Sequence, residues 1–205
     1  MKKEYILGIL FFSGIWGASE AFLGEALYDA GIPFSSVPLT IIGFCVLAFA
    51  RVSFHQRGTA TLIAALAMLY KFLNTPFFAC HLLGILIVGI SFDLFFNVFK
   101  IRNRSISAAA AIYLNYTLFA LMITYIFRYK YWIEGGLPKV LSHIGISGTM
   151  AAIGCAIFVP IVFYMGQRIK TYSARPFYLE YKLAPSGILT ITLGLWIYSI
   201  ATSSF

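Results

Sequence analysis

Residues 5–27 form an apolar run, and the carboxylate of Glu20 is set well inside it. A helix needs roughly 20 apolar residues to cross a bilayer, and this run has them. Ser13, Gly17 and Ala21 recur every fourth residue, as do Gly14 and Ala18. Small side chains at that spacing make a smooth helix face that a second helix can approach closely. Glu20 lies beside this face. An acid at such depth costs roughly 2.5–3.5 kcal/mol on insertion scales and is read first as functional.

The rest of the chain repeats the pattern. Its 205 residues are 60% hydrophobic and 11% charged, with a mean hydropathy of +0.87. Soluble domains carry about 25% charged residues, so residues 1–205 are expected to form one all-α, polytopic membrane bundle. Apolar runs at 5–27, 37–50, 59–73, 77–99, 106–127, 143–165 and 187–201 give about seven transmembrane helices, six plus one. Residues 128–142, with Gly135-Gly136-Leu137-Pro138, are expected as a long loop. The first run is too long for a cleavable signal and is expected to be retained. Cys45, Cys80 and Cys155 sit in apolar runs without CxxC spacing, as buried thiols do.

The net charge of +8 resides in short loops between the runs, which excludes a nucleic-acid surface. With the N-terminus in the cytoplasm, eleven of the 15 Lys and Arg residues fall on the inner side. Arg128, Lys130 and Lys139 fall outside, and Lys71 lies within a span. This bias orients the chain as a multi-pass protein of the cell inner (cytoplasmic) membrane. Leu7-Gly8-Ile9-Leu10 recurs as Leu83-Gly84-Ile85-Leu86, each followed by a Gly-Ile pair and then by an acid, Glu20 or Asp93. Chance recurrence competes with an inverted repeat of 1–76 and 77–168, followed by a final helix at 185–203.

At about 1.5 Å per residue, Glu20 lies roughly 6 Å outside the middle of its span. Lys71, Asn74 and His81 come near the same level, Trp16 is one turn before Glu20, and Tyr113, Asn115 and Tyr116 lie in the fifth span. Asp93 falls in the inner half of the fourth. Trp16, Glu20, Lys71, Asn74, His81, Asp93, Tyr113, Asn115 and Tyr116 are therefore the candidate ligand-binding residues. Each has a structural reading too: a Glu20–Lys71 bridge, a snorkelling Lys71, an interfacial His81, an Asp93 paired with the basic inner loop, a Trp16 that only packs. His55 and His143 are expected to be solvated. Ser13, Gly14, Gly17, Ala18 and Ala21 form an interface with either an internal helix or another subunit. His-Glu-x-x-His, Gly-x-Ser-x-Gly, a Walker loop and histidines paired for haem are all absent from the sequence. The expectation is a non-enzyme without cofactor or resident metal, in which a polar pocket binds a ligand.

The bundle, the small-residue face (Ser13, Gly14, Gly17, Ala18, Ala21) and the outward polar pocket resemble the substrate-binding (S) components of energy-coupling factor (ECF) transporters. In that family, small residues spaced by four on the first helix contact the coupling subunit. The family usually has six spans, and Glu20 beside the face has no counterpart in its pattern. The resemblance implies a membrane-embedded binding subunit that takes up a vitamin, related micronutrient or metal, with a partner membrane subunit and an ATPase module. A non-catalytic membrane subunit of a redox or assembly complex is the alternative, and a membrane enzyme or haem protein using His81 is the third reading.

Overall fold

The computed structural model describes residues 3–73, 79–99 and 101–172, together with Gly194 and Ile197. Among them the chain is helical and has no strand. The α-helices are α1 (Lys3–Ala18), α2 (Gly24–Asp29), α3 (Ser36–Ser53), α4 (Thr59–Ala67), α5 (Ala79–Asp93), α6 (Arg104–Leu121), α7 (Lys130–Ser142) and α8 (Gly148–Tyr172). Five-residue π turns join several of them without a break. As a result, Tyr5–Asp29, Cys80–Val98 and Arg104–Ile126 are each continuous, and Lys130–Ile169 is continuous apart from a break at Gly136.

Six helices close into a ring. Helix α1 packs on α4, α4 on α5, α5 on α6, α6 on α8, α8 on α3, and α3 again on α1. Phe44, Phe92 and Ile112 are fully buried inside it, and the Phe44 and Phe92 rings meet edge to face at 5.6 Å. The outside is apolar as well: Ile153, Ile157 and Ile161 form an exposed stripe along α8. A helix apolar on both faces is one that water does not bathe. Five helices are long and apolar enough to cross a bilayer, as in a multi-pass membrane protein.

Close contacts fix the ring. A Cβ added at Gly89 would collide with Ala64 and the Ala60 carbonyl, so α4 and α5 meet backbone to backbone at that point. At the start of α6, the Asn103 side-chain oxygen accepts the Ser105 and Ile106 amides at 2.9 and 3.2 Å, taking up donors that helix beginnings leave unmatched.

Several expectations change. Instead of seven long spans, the described residues contain five long ones and a shorter apolar helix, Thr59–Tyr70; the expected run at 187–201 and the final helix at 185–203 lie outside them, apart from Gly194 and Ile197. The expected loop at 128–142 is mostly helix α7. Its glycines and proline produce only a local break, at which Gly136 takes φ 56° and Pro138 opens the next turn.

The small-residue face is spent within the chain. Ser13, Gly14, Gly17 and Ala21 are buried and Ala18 is half-buried. At Gly17 a Cβ would collide with the Tyr70 ring, so the missing side chain is what admits that ring. At Gly17 this face therefore packs on an internal residue, Tyr70.

Candidate functional site

At one end of the ring, hereafter the cavity end, α1–α2, α3, α5 and α6 do not close completely. They leave a space of about 190 Å³, smaller than the roughly 300–1,000 Å³ of sites for drug-sized molecules. Each helix contributes a polar group to an otherwise apolar wall. Glu20 comes from the π turn Ser19–Leu23, Ser36 and Thr40 from the first turns of α3, Cys80 and His81 from the start of α5, and Asn115 and Tyr116 from α6. Ile85, Val88 and Phe119 complete the wall, and Tyr28 stands at its exposed edge.

Two π turns shape the site. A π turn carries one extra residue and shifts the side chains that follow around the helix, and such turns recur at functional sites. One holds Glu20 and the other, His143–Ser147, begins with a cavity-lining histidine. Glu20 is 8% exposed and accepts the Trp16 indole N–H at 3.3 Å, while Trp16 itself is 1% exposed. Gly43 leaves the room for that indole: a Cβ on it would lie 2.7 Å from the ring. The tryptophan therefore backs the carboxylate from inside the bundle without lining the cavity.

The floor is set by α6. Asn115 is 5% exposed, and its side-chain carbonyl oxygen has no hydrogen-bond partner among the described residues. The Tyr116 hydroxyl lies beside Ser36 and Thr40 without a hydrogen bond of ordinary geometry. Its ring is tilted against the His143 imidazole, centroids 4.8 Å apart, and Phe119 and Trp132 flank the same imidazole at 5.6 and 5.0 Å. His143, expected to be solvated, is half-buried in an aromatic cluster because α7 folds Trp132 against it.

Glu20, His81, Asn115 and Tyr116 thus come together, with Trp16 directly behind. The turn Met68–Leu73, which carries Lys71, lies against the Glu20 turn, but the Lys71 side chain and all of Asn74 are outside the described residues. Two candidates lie elsewhere. Tyr113 is 40% exposed, one residue past the buried Ile112 and off the inward face of α6, and shares a hydrogen bond with the Thr149 hydroxyl at 2.8 Å. Asp93 sits at the opposite end of α5. It accepts the Thr61 amide at 2.8 Å and hydroxyl at 2.7 Å, and the Asn97 amide, so it ties α5 to α4 rather than to the basic loop.

Sequence reasoning missed His143, Ser36, Thr40 and Phe119. The Ser36–Thr40 spacing of four in an apolar helix was a readable sign of a polar face; His143 gave none. Among the described residues, no three His, Cys, Asp or Glu side chains are grouped to hold a metal ion. No family model matches the chain, and no curated protein or solved structure is significantly similar to it.

Proposed function

We propose that the chain is a membrane-embedded binding subunit that captures a small organic molecule bearing N–H donors, such as an amine, amidine or amino-heterocycle, in the cavity-end pocket. One observation carries this reading: the Asn115 carbonyl oxygen is buried, has no partner among the described residues, and lines the same cavity as the Glu20 carboxylate. An unmatched buried acceptor costs about 1–3 kcal/mol, and a donor on a ligand removes that penalty. The Glu20 carboxylate is a second acceptor on the wall. The rings of Tyr116, Phe119 and His143 offer flat faces to an aromatic ligand, and the volume limits it to a compact one. Metal cargo has less support, since no grouped donor set exists among the described residues.

Uptake across the inner membrane is the setting we infer, with an outward-facing cavity, a partner membrane subunit and an ATPase module supplying the energy. Because the small-residue face of α1 is buried on Tyr70, such a subunit would dock on another face. The same burial removes the feature that had favoured a subunit docked through α1.

The test is native mass spectrometry of the purified protein, followed by thermal-shift screening with amino-heterocycles and simple amines. Wild type is expected to retain or bind such a molecule, and Asn115→Leu to lose it while remaining folded. Equal binding by the two proteins, or no shift with any donor-bearing compound, overturns the reading.

A further inference from the structure

The opposite end of the ring, hereafter the basic end, carries a second pocket. It lies where α3 ends, α6 begins and α8 approaches its own end, with a volume of about 330 Å³, and is lined by Arg51, Val52, His55, Arg104, Phe163 and Gln167. We propose that it is a binding site for a phosphoryl-type anion, supplied either as the headgroup phosphate of an anionic lipid or as free phosphate.

Both guanidiniums are held in place from behind. Arg104 lies over the Phe163 ring at 4.7 Å, a cation–π contact that fixes its plane. Arg51 donates to the Phe54 carbonyl at 3.4 Å. Each guanidinium has five N–H donors in a rigid fork matched to phosphate oxygens, so most of these donors are left for a ligand.

No described carboxylate is in salt-bridge contact with either arginine. Asp93, within electrostatic reach of Arg51, has both oxygens engaged by Thr61 and Asn97. The first amides of α6 are taken by Asn103, so the attraction comes from the two side chains and not from a helix terminus. Val52 and the buried Phe163 make an apolar wall beside the charges, which suits a headgroup with acyl chains below it. Basic pockets between transmembrane helices on the cytoplasmic side are where anionic headgroups bind, and the distribution of Lys and Arg places this end there.

The experiment uses the full chain in detergent. Native mass spectrometry with phosphatidylglycerol and phosphatidylcholine in equal amounts is expected to give a preference for the anionic lipid of roughly tenfold or more. That preference should be lost in the Arg51→Gln/Arg104→Gln variant. In a lipid-free arm, inorganic phosphate raising the unfolding midpoint of wild type but not of the variant, without a lipid preference, assigns the site to free phosphate. Equal binding of both lipids together with no effect of phosphate overturns the proposal, as does a lipid preference unchanged in the variant. Should the double variant not fold, Arg104→Lys serves instead. It keeps the charge over Phe163 but not the fork, and is expected to weaken the anion preference without abolishing it; an unchanged preference overturns the proposal.

Discussion

Glu20 and Asp93 are acids inside two apolar helices, at opposite ends of one ring, and their neighbours give them opposite roles. At the basic end, Asp93 is enclosed by donors: the Thr61 amide and hydroxyl from α4 and the Asn97 amide one turn along its own helix. Each donor comes from the protein, and the carboxylate works as a clamp between α4 and α5. At the cavity end, Glu20 receives the Trp16 indole N–H and faces a space lined by a further acceptor, the Asn115 oxygen, which has no partner among the described residues. The Asn115 oxygen is an acceptor that no described group satisfies, as befits a site that a ligand completes. The role of a buried acid in lipid follows from who supplies its hydrogen bonds, not from its depth.

The comparison can be broken most sharply at Asp93. Asp93→Ala leaves the Thr61 and Asn97 donors without their shared acceptor. Hydrogen bonds to a charged group are each worth about 1.5–3 kcal/mol, so the loss of three is expected to cost roughly 4.5 kcal/mol or more. A fall in the thermal midpoint of the detergent-solubilised protein, with ligand binding per folded molecule unchanged, checks this. An unchanged midpoint would remove Asp93 as a clamp. Thr61→Val is the smaller test, because it deletes the hydroxyl donor and keeps the amide. About 1.5 kcal/mol is expected to be lost, and the effect should vanish when Asp93 is already alanine. Additive losses in that double-mutant cycle would mean that the two residues do not act as one unit.

The same contrast marks what could be read from the chain alone. The apolar runs place the helices, because length and hydropathy are local properties. Glu20, Asn115 and Tyr116 are conspicuous because a polar group inside a span has to be explained where it stands. The role of Asp93 was not legible, because its donor Thr61 is brought to it by the α4–α5 crossing at Gly89. The small-residue face of α1 was legible as an interface but not as an internal one, since its partner Tyr70 lies on a 3-10 turn that no periodicity signals. Helix α7 was hidden by Gly136 and Pro138, whose usual meaning as a loop is overridden when the chain breaks for one residue and resumes. His143 could not be placed without α7, because Trp132 encloses it.

The smallest expected change in stability, and the most discriminating, belongs to Glu20→Gln. The amide has the shape of the acid and keeps an oxygen to accept the Trp16 indole N–H, so the contact at 3.3 Å persists. The thermal midpoint should therefore shift by the equivalent of less than about 1 kcal/mol. Binding should behave differently. A cationic or strongly donating ligand loses a charged acceptor and gains a competing N–H donor, and an affinity loss of about tenfold or more is expected, since tenfold corresponds to 1.4 kcal/mol. Isothermal titration or thermal shift with the donor-bearing compound found for wild type measures it. A large drop in stability with affinity retained would make Glu20 a clamp like Asp93, and the difference between the two ends of the ring would disappear.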